Sequence, residues 1–263
     1  MSKPILGTYV SETNYASACD HIQTLAQSKQ FSYIVAANVH VIMTAYWYQK
    51  YRQILENAAL VTPDGMPLVI GMRWLGAQKQ TRVYGPDLMF AWCDRASKTH
   101  QSIYLYGSTP QTLQKLSKNL KTAFPTLQIA GTYSPPFRPL SQKEEAADRE
   151  RIHQSGASVV FVGLGCPKQE EWMYRQLGKL NVVMIGVGAA FKFHSQEVPQ
   201  APQWMMKYSL EWLFRLFQEP RRLWSRYLLT NTAFIVLFSH QLLKHAFSSF
   251  TQRANPIDTL TDQ

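Results

Sequence analysis

The feature that most constrains this chain is an alternation of short apolar runs with longer, helically spaced segments. The runs are Tyr33–Ala37, Ala59–Thr62, Ile103–Tyr106, Gln128–Ala130, Ser158–Gly163 and Val182–Val187. Between them lie stretches such as Pro110–Ala123 and Ser141–Gln154, where apolar residues recur every three or four positions. A strand that is apolar at successive positions has no side suited to water, so both of its faces must be covered. Such strands alternating with helices predict an α/β fold, a mostly parallel sheet flanked by helices. The stretch Tyr133-Ser134-Pro135-Pro136-Phe137-Arg138-Pro139 reads as a rigid connector, because proline fixes φ and removes an amide donor. No internal repeat is visible.

After about residue 195 the texture changes. Residues 203–250 read as helix rich in Trp, Phe, Leu and Arg, with no further strand. The expected division is therefore an α/β core over 1–195, a helical, basic appendage over 196–250, and a flexible tail over 251–263. The whole sequence holds 27 Lys+Arg against 17 Asp+Glu, a net charge of +10. Seven basic residues against two acidic ones, between Gln203 and Arg253, carry half of that surplus. A surplus of this size points to an anionic partner: nucleic acid, an acidic membrane surface or a phosphorylated substrate. With 46 % hydrophobic and only 17 % charged residues, the chain is not of the disordered class. Cys19, Cys93 and Cys166 are too scattered for a disulfide scaffold or a paired-cysteine zinc site, and they fit a reducing cytoplasm. Met1-Ser2-Lys3-Pro4 is not followed by an apolar run, so no signal peptide is expected. No stretch approaches the roughly 20 apolar residues of a spanning helix.

In an open α/β sheet, ligands bind beyond the carboxyl ends of the strands. Four such ends carry polar or glycine-rich residues: Asn38-Val39-His40, Thr62-Pro63-Asp64-Gly65-Met66-Pro67, Gly163-Leu164-Gly165-Cys166-Pro167-Lys168-Gln169-Glu170, and Gly186-Val187-Gly188-Ala189-Ala190-Phe191. Asp64 places a carboxylate at a turn just beyond a buried strand, yet Pro-Asp-Gly is also a strong turn whose Asp commonly caps the next helix. The Gly163–Glu170 segment suits an anion at a helix N-terminus, and equally a tight structural turn. His40 and His194 read as core or edge histidines. There is no Gly-x-Ser-x-Gly elbow, no His/Cys/Asp cluster at metal spacing and no Asp-x-Asp pair, so no metal ligand is assigned.

In the basic segment, Arg215, Arg222 and Arg226 are spaced by seven and four, which on one continuous helix aligns them. They read as a solvated face or as a clamp for a diphosphate. Pro220 interrupts the pattern and makes two shorter helices with a bend the alternative. Further on, Phe234, Leu237, Phe238, Leu242 and Ala246 form an apolar stripe, either a packing face or an interfacial membrane helix.

Taken together, Thr62-Pro63-Asp64-Gly65, Arg82-Val83-Tyr84-Gly85-Pro86-Asp87-Leu88, the Gly163–Glu170 segment and Glu211-Trp212-Leu213-Phe214-Arg215-Leu216, continuing into Glu219-Pro220-Arg221-Arg222, resemble the WecG/TagA/CpsF glycosyltransferases from about Ile5 to Tyr227. The resemblance implies a Rossmann-like core and a C-terminal appendage that completes the active site and contacts the membrane. It implies an inverting enzyme moving a sugar, of the N-acetylmannosamine type, from a UDP-sugar to a polyprenyl-diphosphate-linked saccharide in surface-polymer synthesis. The UDP-sugar is a co-substrate; no cofactor and no divalent metal are expected. The implied location is cytoplasmic, peripheral on the inner face of the cytoplasmic membrane, with an anionic membrane surface as partner, no nucleic acid, and homo-oligomer formation left open.

Carried residue by residue, the family's general base falls on Asp64, and its substrate-contacting Asn, Arg and Gln fall on Asn38, Arg82 and Gln169. Gly107, Gly163, Gly165, Gly188, Lys168 and Glu170 complete the substrate-binding set within the core. The appendage arginines match Arg215 and Arg222, with Arg221 and Arg226 alongside, to offset diphosphate charge. The chain departs from the family at Ala36, where Thr is common, and at Phe191-Lys192-Phe193, where the middle residue is usually Asp. That lysine bears on sugar specificity and on activity. Two rivals stand against this reading, a nicotinamide-type Rossmann protein and a nucleic-acid-binding module. The first lacks its Gly-x-Gly-x-x-Gly after the first strand. The second would want basic residues interleaved with stacking aromatics on one surface.

Overall fold

The computed structural model describes residues 1–254, excepting the side chains of Lys207, Arg222, Arg226 and residues 248–254. Residues 255–263, most of the expected tail, lie outside this description, so the flexibility assigned to them does too. The chain opens with a hairpin, β1 (Ser2–Ile5) and β2 (Thr8–Ser11), that the alternation argument did not anticipate. Its strands are too short to register as a pattern.

Then follow α1 (Tyr15–Gln27), β3 (Ser32–Ala37), α2 (Val39–Trp47), α3 (Gln49–Glu56), β4 (Leu60–Pro63), α4 (Met66–Trp74) and α5 (Gly85–Thr99). The second half runs β5 (Ser102–Gly107), α6 (Pro110–Ala123), β6 (Gln128–Tyr133), α7 (Gln142–Ser155), β7 (Val159–Gly163), α8 (Lys168–Gln176), β8 (Val183–Gly186) and α9 (Ala190–His194). All six anticipated strands are present. They form one sheet in the order β4-β3-β8-β7-β5-β6, every neighbouring pair parallel. β6 runs on to Tyr133, so the proline connector starts at Ser134, one residue later than its sequence suggests. α6 begins at Pro110, where a missing N–H costs nothing, behind a Thr109 cap. α7 starts on a full capping box between Ser141 and Glu144.

Each face of the sheet has its own core. On one, Tyr33, Val35, Val160, Val162 and Met184 pack under α2, α3 and α8. On the other, Ile34, Ile103, Leu105, Phe161 and Ile185 pack under α1, α5 and α6. This is the double coverage that uninterrupted apolar strands require.

The basic segment is three helices, α10 (Gln203–Lys207), α11 (Glu211–Gln218) and α12 (Pro220–Ala254). Pro220 opens α12 because a first-turn residue needs no amide partner, and Glu219 lies between the two helices. Arg215 and Arg222 therefore stand on different helices, and the bend replaces the single aligned face. The apolar stripe of α12 resolves as packing: Phe234 and Phe238 are buried in the first core, with Leu237 and Leu242 half-buried against it. Gly71 of α4 makes this docking possible, since a Cβ there would lie 2.8 Å from the Phe238 ring. Gln241 adds a two-point tie to the hairpin, donating to the Pro4 carbonyl at 2.7 Å and accepting from the Leu6 amide at 2.8 Å. Among the described residues, no helix is long and apolar enough to cross a membrane.

The buried Phe238 ring stacks on Phe234 with centroids 5.4 Å apart, so any shift that admits a larger side chain at Gly71 disturbs that stack. Gly71→Val is therefore expected to destabilise the protein by about 1–3 kcal/mol despite the better helix propensity of valine. Thermal unfolding checks this, and combination with Phe238→Ala is expected to cost less than the two changes summed, because both act on one space.

Candidate active site

The carboxyl ends of β3, β4, β7 and β8 open into a cleft of about 610 Å³, closed on its far side by α10, α11 and the first turns of α12. Its size falls within the range of small-molecule sites. Asp64 follows β4 directly and does not cap α4: the N-cap is Gly65, without a side-chain bond. Its Oδ1 instead accepts from the Gly85 amide at 2.6 Å, across 21 residues of sequence. Gly85 opens α5 and packs against Ala36, which brings its N–H to the aspartate. The Asp64 main-chain amide donates to the Ala37 carbonyl at 2.8 Å, so β3 holds the residue from below. Oδ2 has no hydrogen-bond partner among the described residues. Burial pushes the Asp64 pKa up from 3.8 to about 6, and the Glu211 carboxylate adds to the rise. The Arg82 guanidinium, the Gly85 amide and Arg215 act against it.

Arg82 lies beside Asp64, with Nε donating to the Asp64 carbonyl and Nη2 to Glu211 Oε2 at 2.6 Å. Its guanidinium sits 4.0 Å from the centroid of the Tyr84 ring, and the Tyr84 hydroxyl donates to Glu211 Oε1 at 2.9 Å. Glu211 and Tyr84 are functional-site residues that sequence reasoning quoted within motifs without assigning a role. The signal for Tyr84 was there: on an extended segment, residues two apart share a side, so Arg82 and Tyr84 go together.

Asn38 is the N-cap of α2, accepting from the Val41 amide at 3.3 Å, and it lines the cleft. In the Gly163–Glu170 segment, Gln169 is buried and accepts from the Gly165 amide at 3.2 Å while donating to Glu170 at 2.7 Å. Glu170 is fully buried, and burial raises its pKa. These two side chains brace the turn from beneath, while exposed Lys168 stands at the cleft wall. Gly163, Gly165 and Gly188 also line the cleft. Gly107 does not: at φ +120°, it lies where a Cβ would fall 2.7 Å from the Gly163 backbone, so its place is in strand packing behind the site.

On the appendage side, Arg215 reaches the cleft and sits 5.9 Å from the Phe193 ring centroid. Arg221 is exposed and is not part of the lining. The side chains of Arg222 and Arg226 lie outside the described residues. Lys192 lines the cleft. His194 stacks on Phe90 at 4.1 Å and bonds the Pro86 carbonyl at 2.9 Å, the bonded edge histidine that its context suggested. Among the described residues, no group of three or more His, Cys, Asp or Glu is arranged to hold a metal ion.

Comparison with known proteins gives this arrangement a family. Residues 3–248 match the model of the glycosyl transferase WecG/TagA/CpsF family. An N-acetylglucosaminyldiphosphoundecaprenol N-acetyl-beta-D-mannosaminyltransferase of Bacillus spizizenii (strain ATCC 23059 / NRRL B-14472 / W23) is 32 % identical over 231 residues, covering 86 % of this chain and 87 % of the relative. A protein of the same description from Bacillus subtilis (strain 168) is 28 % identical over 219 residues, covering 82 % of this chain and 83 % of its own length. With a family match over nearly its whole length and the α/β architecture that the resemblance implied, the chain belongs to the WecG/TagA/CpsF family of glycosyl transferases.

Proposed function

We propose that the protein transfers an N-acetylmannosamine-type sugar from a UDP-sugar to a polyprenyl-diphosphate-linked saccharide, with Asp64 as general base. The observation that carries this reading is the Asp64 carboxylate itself, pinned through Oδ1 to Gly85 with Oδ2 left open at the cleft. The acceptor hydroxyl oxygen attacks the anomeric carbon of the donor sugar as its proton passes to Oδ2. The bond from that carbon to the UDP oxygen breaks on the opposite side, so configuration inverts. A base with a pKa near 6 is ionised at neutral pH and still holds a proton better than an ordinary aspartate.

The departing diphosphate needs positive charge. Arg215, Lys168 and Lys192 line the same cleft, which supports a charge-offsetting role for side chains and a metal-independent reaction. Asn38, Arg82 and the Gly163–Gln169 turn supply the remaining walls. The acceptor class follows the descriptions of the two Bacillus relatives.

A lipid-linked acceptor calls for contact with a membrane. α12 turns one stripe into the core and another outward: Trp224, Leu228, Leu229, Ile235, Val236, Leu243 and Phe247 are all exposed. With exposed Arg221 and Lys244 on the same helix, this outward face suits peripheral attachment to an acidic membrane, in keeping with a place on the inner face of the cytoplasmic membrane.

Asp64→Asn is expected to cut transfer by orders of magnitude in an assay with UDP-N-acetylmannosamine and a polyprenyl-diphosphate-linked acceptor. Undiminished transfer would sink the base assignment. The same change is expected to stabilise the fold. A carboxyl whose pKa rises from 3.8 to about 6 on folding disfavours the folded state once ionised. Asp64→Asn thus gains about 3 kcal/mol at pH 8, an advantage that fades as pH falls through 6 and is gone below 4. In parallel, kcat/KM of the native enzyme is expected to fall tenfold per pH unit below about pH 6. For the membrane, replacing Leu228, Leu229, Ile235 and Val236 by serine is expected to abolish flotation with vesicles containing anionic lipid, whereas Phe234→Leu, on the packed side, leaves it intact.

A further inference from the structure

We infer that Glu211 is a positioning residue for the transfer reaction: by gripping Arg82 and Tyr84 together, it keeps the Arg82 fork away from the Asp64 carboxylate and leaves that carboxylate open as a base. The inference rests on Asp64 being the base. It concerns a side chain contributed by α11 rather than by the sheet.

An arginine beside an aspartate ordinarily makes a forked ion pair with it, since the guanidinium matches a carboxylate atom for atom. Here that pairing is absent. Among the described residues, Arg82 has one ion-pair partner, and it is Glu211 at 2.6 Å. Toward Asp64, Arg82 offers only Nε, and it offers it to the main-chain carbonyl. Glu211 uses both oxygens, Oε2 for Arg82 and Oε1 for the Tyr84 hydroxyl. The Tyr84 ring lies against the guanidinium plane at 4.0 Å and closes a third side. Arg82 is thus held by a carbonyl, a carboxylate and an aromatic face, and cannot swing onto Oδ2 while Glu211 stays in place.

Among the described residues, few titratable groups stand close to Asp64. Arg82 and Tyr84 come from the segment before α5, and Glu211 and Arg215 from α11. His40, Lys168, Glu170, Lys192 and Glu219 line the farther walls of the cleft. With Glu211 neutralised, burial still disfavours the ionised form of Asp64, but the pull of Arg82 and Arg215 is no longer offset by the Glu211 carboxylate. The base weakens, and Arg82 is released to pair with it.

Glu211→Gln tests this. Glutamine keeps the length of the side chain and can still accept from Tyr84, so the fold is retained. The first readout needs no turnover: thermal stability of the protein and of its Asp64→Asn variant is measured across pH, with and without Glu211→Gln. That advantage sets in at the unfolded-state pKa and levels off at the folded-state pKa, so the pH at which it levels off reports the protonation midpoint of Asp64 in the folded protein. That midpoint, near 6 with Glu211, is expected to move down by roughly one pH unit or more with glutamine. The acid limb of kcat/KM is expected to follow it, with kcat falling by roughly threefold to thirtyfold at pH 7.5. Tyr84→Phe removes an anchor but no charge, and is expected to lower kcat without moving the midpoint. A midpoint that stays in place with glutamine overturns the inference, as does an acid limb that stays in place. Failure of the functional reading would look different: no transfer by the unaltered protein, while the stability midpoint still moves.

Discussion

The structure depends on one requirement, that a sheet of uninterrupted apolar strands be shielded on both faces. Helices α1, α5 and α6 shield one face from within the first half of the chain and its middle. The other face is shielded by α2, α3 and α8, and Phe234 and Phe238 of α12 join the same core. The helix α12 accordingly packs over α2 and α4, as an outer layer on the core that covers this face. α11 packs on α12, and α10, α11 and α12 form the far wall of the cleft. The layer that covers the sheet is thus also the seat of the helices that close the cleft.

The consequence appears in the chemistry. Burial holds the Asp64 carboxyl above its ordinary pKa, so in its ionised form it opposes folding. The cleft tolerates that opposition because Asp64 is tied on two sides by the backbone, through its own amide to Ala37 and through Oδ1 to Gly85. Neither tie involves Oδ2, which has no hydrogen-bond partner among the described residues. The anchoring of this side chain and the base role proposed for it thus fall on different atoms.

Much of this was legible before any coordinates. The strands were visible because full burial leaves an apolar run with no polar gap, and α6 and α7 because their first turns carry Pro110, Thr109 and the Ser141–Glu144 pair. The hairpin of β1 and β2 was not, since four-residue strands show too few alternations to register. Asp64 could be singled out, but its capping role could not be dismissed: only the contact with Gly85, 21 residues away, shows that Oδ1 is engaged elsewhere than at the start of α4. Glu211 was harder still. It is the first residue of an eight-residue helix, a place where an acidic side chain needs no explanation beyond the helix dipole. Its partners are 127 and 129 residues upstream, and no local pattern encodes such a distance. The stripe on α12 was readable as apolar, yet whether it met protein or lipid turned on Gly71 in another helix.

The Gln241 tie to Pro4 and Leu6 joins segments 235 or more residues apart. During synthesis the hairpin emerges first and must wait for its partner. At about 5–20 residues per second, that wait is on the order of 10–50 s. Throughout it, the surface of α2 and α4 destined for Phe234 and Phe238 is uncovered and the Asp64 cleft has no far wall. A nascent chain in this state presents apolar surface to the cell but no assembled site. The cleft is therefore complete only after α12 has been made and docked, which ties assembly of the site to a helix that follows the whole sheet in sequence.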